Sequence, residues 1–309
     1  MKKILISGFI LCIALQVFAG NTRTYSVIKI WQGIYTICYK NEHSQLLVFT
    51  PDSSKNNNAA VIICPGGSYG HLGVKHEGIE VAQWLTKLGF TAFVLKYRVG
   101  MQGYHHPAMI QDLQRSIQIV RERATSWGIQ HNKVGVMGFS AGGHLVGVAG
   151  IHYDYNFLAY QGLHPTVSLR PDFVVMVYPV VSMRDSIAHK KSKRNLLGRN
   201  YSEDLIHKMS LEENVHAHVP PIFIVHAVGD KVVDYRNSVY LYRELQRASI
   251  PHIQYIQFEC EGHGFGISEK RNAVAWKWIF DCEQWMKSIG LEIRTNVLSS
   301  LPIQQLDNK

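Results

Sequence analysis

The segment 138–142 reads GFSAG and places Ser140 at the centre of a G-x-S-x-G pattern. A mostly apolar run, 133–137, precedes this segment, and a helix-compatible run, 143–149, follows it. This order predicts a strand, a sharp turn with the serine at its apex and a helix, which together expose the hydroxyl above the carboxyl end of a sheet. Small flanking residues are required, because a side chain there would collide with the neighbouring strand or helix. Ser140 is therefore the candidate nucleophile.

A serine hydroxyl is a poor nucleophile at neutral pH, so a base must remove its proton and a third group must orient that base. Two later loops offer these groups. Asp230 follows an apolar strand-like run, and His263 lies between two glycines just after the last such run. The carboxyl ends of parallel strands share one edge of an open sheet, where binding sites form. The chain order Ser140, Asp230, His263 is that of the α/β-hydrolase fold.

Each of these assignments has an alternative. Asp230 could cap the helix predicted from residue 236 or form a turn, and Asp234 is a second candidate for the acid. We prefer Asp230 because it lies nearer to the end of the strand. His144, at the start of the helix after the serine, is interpreted as structural. Glu77 lies in the first turn of a predicted helix, where the helix dipole favours a carboxylate.

The negative charge that develops on an attacked carbonyl needs fixed hydrogen-bond donors. The backbone N–H of Ala141, directly after the nucleophile, supplies one. The glycine-rich segment 65–70 follows the third strand-like run, and its Gly67 and Ser68 N–H groups are candidates for the others. The segment lacks the G-x-x-x-x-G-K-[ST] pattern, so we do not interpret it as a phosphate-binding loop.

Strand-like and helix-like segments alternate along most of the chain, which predicts an α/β protein with a mostly parallel central sheet and helices on both faces. Two leading strands, 25–31 and 45–49, are expected to be antiparallel. The other predicted strands are 59–64, 91–97, 133–137, 172–178, 221–226 and 252–258. Helices are predicted over 74–88, from Pro107 to before Gly128, after the serine, and over 236–248 and 269–286, whereas 182–218 is expected to be irregular.

The predicted helix from Pro107 has an apolar stripe on one face. The stripe consists of Met109, Leu113, Ile117, Val120 and Ala124. Such a stripe predicts that this face of the helix packs against the sheet.

The first 19 residues have the pattern of a cleaved secretory signal peptide. Lys2 and Lys3 precede the apolar run 4–17, which is shorter than the roughly 20 residues that a membrane-spanning helix needs, and Ala19 offers a small residue for cleavage. We therefore expect a secreted or periplasmic protein with no stable membrane insertion after cleavage. Residues 20–289 are predicted to form one catalytic domain, and 290–309 a loosely attached tail.

The chain has a formal net charge of +9, part of which lies in the basic segment 184–194. A run of this kind is usually a solvent-exposed loop. Because it has no interleaved aromatic residues and matches no nucleic-acid-binding motif, we expect no nucleic-acid partner. Contact with an acidic polysaccharide stays open.

Four cysteines, Cys38, Cys64, Cys260 and Cys282, follow the predicted signal peptide. A secreted protein can form disulfides, but the pairing cannot be deduced from their positions. The histidine pairs 105–106 and 216–218 have no third ligand nearby in the sequence, so no metal site is expected. Nucleophilic serine chemistry requires no cofactor.

Several segments together resemble the acetyl-xylan esterase and bifunctional deacetylase–feruloyl esterase (BD-FAE-like) family of α/β-hydrolases over nearly all of residues 55–288. The matching motifs are PGGSY at 65–69, HEG at 76–78, YR at 97–98, GFSAGGHL at 138–145, NLLG at 195–198, PPIFIVHA at 220–227 and GHGFG at 262–266. The resemblance implies a serine carboxylesterase that removes acetyl, or in some members feruloyl, groups from an acylated plant polysaccharide such as xylan. It also implies that Ser140 is the nucleophile, Asp230 the acid and His263 the base.

The sequence departs from the family pattern at two positions. The oxyanion loop of the wider fold usually reads HGGG, whereas here Ser68 occupies a position where positive φ would be strained. Relatives often have a proline where this chain has Asp234. Two other functions fit the sequence less well. A prolyl-oligopeptidase-type serine peptidase is expected to have a large additional domain, and a non-catalytic carbohydrate-binding relative would have no use for a strained serine turn.

Overall fold

The structure is a computed structural model that describes residues 25–34 and 44–294. The predicted signal peptide, Cys38 and the part of the predicted tail after residue 294 lie outside the described residues. Among the described residues, no helix has both the length and the apolar character needed to cross a bilayer.

Eight strands of the described chain form one sheet in the order β1-β2-β4-β3-β5-β6-β7-β8. The strands are β1 (Ser26–Lys29), β2 (Gln45–Phe49), β3 (Ala60–Cys64), β4 (Thr91–Lys96), β5 (Val134–Phe139), β6 (Val174–Val177), β7 (Ile222–Gly229) and β8 (Gln254–Glu261). Strand β2 is antiparallel to both β1 and β4, and every other neighbouring pair is parallel. The mostly parallel sheet and its antiparallel leading strands are confirmed, with strand ends within about three residues of those predicted.

Helices cover both faces of this sheet. They are α1 (Glu80–Lys87), α2 (Ala108–Glu122), α3 (Ala141–Ile151), α4 (Lys190–Leu197), α5 (Glu203–Met209), α6 (Arg236–Arg247) and α7 (Trp278–Ser288). Side chains alternate along β3, so Ile62 joins one core with α2, α3 and α6, while Val61 and Ile63 join the other with α1 and α7. Burial of these two apolar layers holds the helices against the sheet.

The long helix α2 shows how the sequence pattern becomes packing. All five residues of its predicted apolar stripe are buried, the last of them in the short 3₁₀ turn that follows the helix. The chain then reverses at Gly128, where φ is +64°. Glycine reaches this left-handed conformation without the steric cost of a Cβ atom, which explains why the helical segment ends there.

The stretch 182–218 was predicted to be irregular, and this was wrong because it contains α4 and α5. The Ser202 side chain accepts a hydrogen bond from the Leu205 N–H and caps α5, a local signal present in the sequence. The basic segment is a solvent-exposed loop only in part. Residues 190–194 belong to α4, where Lys190, Lys191 and Arg194 are exposed but Lys193 is buried and donates to Asp185 at 2.7 Å.

The last helix begins later than predicted, at Trp278 rather than at residue 269. The Asn272 side-chain oxygen accepts hydrogen bonds from the N–H groups of Val274 and Ala275. These local bonds satisfy the backbone in a turn and so compete with the helix.

The first residues of the predicted tail, 290–294, are packed against the domain. Leu291 is buried, the Glu292 carbonyl accepts from Asn57 Nδ2 at 2.7 Å, and Arg294 N–H donates to the Leu88 carbonyl. Loose attachment was therefore wrong for these five residues.

Parallel strands β3, β5, β7 and β8 end at the same edge of the sheet. The chain segments that leave this edge are the loop 65–70, the turn at Ser140, the Asp230 loop and the His263 loop. The fold thus brings every candidate site residue to one edge.

Candidate active site

The serine turn is as tight as its flanking glycines indicate. Ser140 lies between β5 and α3 with φ +53° and ψ −118°, a backbone conformation that is strained for a residue with a side chain. A Cβ atom at Gly138 would come within 2.1 Å of the Gly142 carbonyl oxygen, and one at Gly142 within 2.0 Å of the Cys64 carbonyl oxygen. The predicted collisions with the helix and the neighbouring strand are therefore confirmed at both positions.

Ser140, His263 and Asp230 form a continuous hydrogen-bonded chain. Ser140 Oγ lies 2.9 Å from His263 Nε2, and His263 Nδ1 lies 2.6 Å from Asp230 Oδ2. The carboxylate is an acceptor, so Nδ1 is the protonated nitrogen and Nε2 is free to accept from the serine hydroxyl. The imidazole is therefore held in the tautomer that a base for Ser140 needs.

The carboxylate of Asp230 accepts further hydrogen bonds. His226 Nε2 lies 3.2 Å from Oδ2, and the N–H groups of Val232 and Val233 donate to Oδ1 at 2.8 and 3.0 Å. Burial alone would raise the pKa of Asp230, but the hydrogen bonds from His226 and His263 outweigh burial and hold the pKa well below its ordinary value. Asp230 is therefore ionised across the neutral range.

The alternative acid, Asp234, lies outside this chain of hydrogen bonds. Its carboxylate accepts from the backbone and side chain of Arg236, two residues later, at the start of α6. Asp234 is thus a surface turn residue, and the structure brings Asp230 rather than Asp234 to His263.

The loop 65–70 lies directly against the serine. A Cβ atom at Gly66 would be 2.9 Å from Ser140 Cβ. Gly67 and Ser68 both have positive φ, +134° and +56°, so the expected strain at Ser68 is present. Within the described residues, the N–H groups of Gly67, Ser68 and Ala141 donate to no protein acceptor. Three free donors next to a nucleophile can bind a developing oxyanion.

Side chains from outside the loop hold it in this strained shape. Asn195 Nδ2 donates to the Ser68 carbonyl at 2.8 Å, and the Tyr69 hydroxyl donates to His144 Nδ1 at 2.8 Å. His144 Nε2 in turn donates to the Met209 carbonyl. His144 is fully buried and links the loop, α3 and α5, so its structural interpretation is confirmed.

The segment that contains α4 and α5 also borders the site. An open groove of about 1280 Å³ lies between residues 185–191 and 228–236, and its lining includes Asp230 and His189. Burial lowers the pKa of His189. In the described ranges, no three potential metal ligands lie close enough together to hold an ion.

Sequence reasoning missed the second partner of Asp230 and the anchor of Ser68. His226 directly follows the apolar run 222–225 in β7 and precedes Asp230 by four residues, so the spacing indicates that the two side chains are close. Asn195 is separated from Ser68 by 127 residues, and no local pattern links the two.

Similarity to known proteins supports the assignment of family and fold. The BD-FAE family model matches residues 46–245. An acetylxylan esterase from Xylanibacter ruminicola is 32% identical over 255 residues, which are 80% of this chain and 48% of that protein, so the chain spans about half of its relative.

Two solved structures superpose on most of the chain. The acetyl ester-xyloside bifunctional hydrolase from Caldicellulosiruptor lactoaceticus is 36% identical with a TM-score of 0.77, and the match covers 86% of this chain and 96% of that one. The propionate-bound esterase Est2 from Thermogutta terrifontis is 18% identical with a TM-score of 0.72 over 88% and 97% of the two chains, a likeness in fold alone. Together with the sheet order, these matches confirm the predicted α/β-hydrolase fold. The chain belongs to the BD-FAE family.

Proposed function

We propose that this protein is a secreted serine carboxylesterase that removes acetyl groups from plant cell-wall polysaccharide such as xylan. The observation that supports the chemistry most directly is the hydrogen-bonded chain Ser140–His263–Asp230 beside the free N–H groups of the oxyanion loop. The names of two similar proteins, an acetylxylan esterase and an acetyl ester-xyloside hydrolase, support the ester and the sugar.

Acylation begins when Ser140 Oγ attacks the ester carbonyl and transfers its proton to His263 Nε2. The N–H groups of Gly67, Ser68 and Ala141 donate to the oxyanion of the tetrahedral intermediate. Asp230, ionised and fixed by its other hydrogen bonds, stabilises the imidazolium. The intermediate collapses as the sugar hydroxyl leaves with the proton from His263, and the acyl group stays on Ser140.

Deacylation repeats these steps with water as the nucleophile. His263 takes a proton from the water, which attacks the acyl carbonyl, and the same N–H groups bind the second oxyanion. Acetate leaves as His263 returns the proton to Ser140 Oγ. The net reaction consumes one ester and one water and needs no cofactor.

Acetate release from acetylated xylan tests this function, with Ser140→Ala as the matched variant. We expect release by the mature wild type and a loss of at least about 10³-fold in the variant, because the nucleophile is absent. Equal release by both proteins would refute the nucleophile. If neither releases acetate, xylan acetyl groups are not the substrate, and feruloyl, short-chain aryl and peptide substrates then distinguish the other acyl groups from a peptidase.

Matched substitutions of Asp230 and Asp234 test which of the two aspartates is the acid that orients His263. Asp230→Asn removes the charge that fixes the His263 tautomer, and we expect a fall in kcat of about 10³-fold or more. Asp234→Asn removes a carboxylate of the same loop whose side-chain hydrogen bonds, among the described residues, come from Arg236 and not from His263, and we expect kcat within about 3-fold of the wild type even if KM changes. The reverse ranking would show that Asp234 is the acid.

We also propose that the groove between residues 185–191 and 228–236 receives the sugar chain. It borders Asp230 and contains Lys190 and Lys191, which are exposed and, among the described residues, have no carboxylate within 4 Å. Substitution of both lysines by alanine is expected to change the ratio of kcat/KM between acidic and neutral acetylated xylans. An unchanged ratio would place the sugar elsewhere.

Secretion is proposed from residues 1–19 alone. Expression of the full chain in a bacterial host, followed by cell fractionation and mass determination of the product, tests it. Cleavage after Ala19 with recovery outside the cytoplasm is expected, whereas an intact N-terminus in the cytoplasm would contradict it.

A further inference from the structure

Glu77 is a buried carboxylate whose place in the structure differs from its predicted role. The sequence indicates a first-turn residue whose carboxylate is favoured by the helix dipole. In the structure Glu77 is only 4% exposed, and both of its side-chain oxygens accept hydrogen bonds. Oε2 accepts from the Gly66 N–H at 2.8 Å, and Oε1 accepts from the Tyr178 hydroxyl at 2.7 Å. Among the described residues, the only basic side chain within 4 Å of the carboxylate is that of His76, whose Nε2 lies 3.7 Å from Oε1.

An ionised carboxylate in this position would cost free energy, because it is buried and, among the described residues, no lysine or arginine lies within 4 Å of it. The two donors that Glu77 binds belong to different loops, and each of those loops holds one part of the candidate active site.

The first donor fixes the oxyanion loop. Gly66 directly precedes Gly67 and Ser68, and it lies in contact with Ser140. Ser68 and Tyr69 both have φ +56°, so the loop is strained and needs anchors. Asn195 and His144 anchor the far side of the loop, and Glu77 anchors its start.

The second donor fixes the histidine loop. The Tyr178 hydroxyl donates to Glu77 and accepts from the Gly266 N–H at 3.0 Å. Its ring centroid lies 4.6 Å from that of His263 and 4.5 Å from that of Phe265. Burial, and then the negative charge of Glu77, raise the pKa of Tyr178, so the phenol stays protonated and remains a donor.

We propose that Glu77 and Tyr178 are positioning residues that connect the oxyanion loop to the histidine loop. Through this link, the Gly67 and Ser68 donors and the His263 imidazole are held in one geometry relative to Ser140. The inference rests on the proposed serine mechanism, in which both groups must act on the same carbonyl. Displacement by a fraction of an ångström at either group lowers the rate of the chemical step.

Two substitutions break the link from opposite ends. Glu77→Gln replaces one of the two acceptor oxygens by an NH₂ group, which cannot accept, so either the Gly66 N–H or the Tyr178 hydroxyl loses the acceptor that it faces. Tyr178→Phe keeps the ring against His263 but removes the hydroxyl, which leaves the Gly266 N–H without its acceptor. Glu283→Gln is the matched control, since Glu283 is also buried and accepts from Trp84 Nε1 at 3.1 Å, between α1 and α7 and away from the site.

The assays are kcat and KM for acetyl ester hydrolysis, the melting temperature, and the rate at which diethyl 4-nitrophenyl phosphate phosphorylates Ser140 with release of 4-nitrophenol. We expect each single variant to lose about 10- to 100-fold in kcat with KM within about 3-fold, because the link acts in the transition state. The double variant should be no slower than the slower single variant. The control Glu283→Gln should keep kcat, even where its melting temperature falls.

The phosphorylation rate separates this inference from the proposed function, because it reports the activation of Ser140 whatever the natural substrate is. If acetylated xylan is not hydrolysed but Ser140 is phosphorylated about 10-fold more slowly in the two variants than in the wild type, the link is supported and the proposed substrate is wrong. If both variants keep kcat and the phosphorylation rate within about 3-fold of the wild type, the link is refuted. It is also refuted if their loss of kcat is no larger than that of a Glu283→Gln control with an equally lowered melting temperature. Should Glu77→Gln fail to fold, Tyr178→Phe decides between these outcomes.

Discussion

His144 makes the stability of the protein depend on pH in a way that the structure quantifies. The imidazole is fully buried between Tyr69 and Met209. Burial lowers its pKa to about 4 from the ordinary 6.5, even though the hydrogen bond to the Met209 carbonyl opposes this. The unfolded chain therefore binds a proton at His144 at a higher pH than the folded protein does. Stability from this residue is fully present above pH 6.5 and is lost as the pH falls toward 4.

The magnitude follows from the difference between the two pKa values. With 6.5 in the unfolded chain and about 4 in the folded one, the loss relative to neutral pH is about 2 kcal/mol at pH 5 and about 3 kcal/mol at pH 4. Below the folded pKa both states are protonated, so no further loss from His144 occurs. A change of this size is a large fraction of the 5–15 kcal/mol that is typical of a domain.

Urea unfolding of the wild type and of His144→Gln at pH 7.5 and pH 5 isolates this effect. Glutamine can still donate to the Met209 carbonyl but does not titrate. The free energy of unfolding of the wild type minus that of the variant should fall by about 2 kcal/mol between the two pH values. A difference that stays within about 0.5 kcal/mol would refute the buried neutral histidine. His144→Asn, which places its amide nearer to Tyr69, serves if the first variant does not fold.

Further predictions concern the turn, the core and the thiols. Gly142→Ala places a Cβ 2.0 Å from the Cys64 carbonyl oxygen, so we expect a loss of about 1–3 kcal/mol in urea unfolding together with lower esterase activity; unchanged values would contradict the tight turn. Asp112→Ala leaves the buried Arg98 guanidinium without its carboxylate, so the free energy of unfolding should fall by about 3–5 kcal/mol. A fall of less than about 1 kcal/mol would contradict a buried ion pair. Burial raises the pKa of the Cys64 and Cys282 thiols, so both should react with Ellman's reagent only after denaturant is added, and immediate reaction would show that they are accessible.

The strands and the hydrogen-bonded chain at Ser140 could be predicted because their signals are local. Apolar runs that end in glycines or turn residues mark the strand ends, and parallel strands bring those ends together whatever the intervening sequence is. Asp230 and Asp234 are distinguished by the same rule, since only Asp230 directly follows β7.

The parts that were missed depend on contacts between distant residues or on competition between local bonds. The hydrogen bond from Tyr178 to Glu77 joins residues 101 positions apart, so neither residue has a local pattern that indicates its partner. The start of α7 was misplaced because the side chain of Asn272 competes with helix formation. Helix α5 was missed although Ser202 and the acidic residues after it are a recognisable cap.

The distribution of positive φ angles has a consequence for how this protein can change. Four of the described non-glycine residues with positive φ, namely Ser68, Tyr69, Ser140 and Tyr178, lie at the candidate site. Each such conformation costs about 1 kcal/mol or more, and replacement by glycine would relieve that cost at Ser68 and Ser140, whereas Tyr69 and Tyr178 are fully buried and their removal would leave a cavity. Relief of the backbone strain at Ser140 therefore removes the candidate nucleophile itself. A lineage selected for heat resistance alone would lose esterase activity before it exhausted its stabilising substitutions.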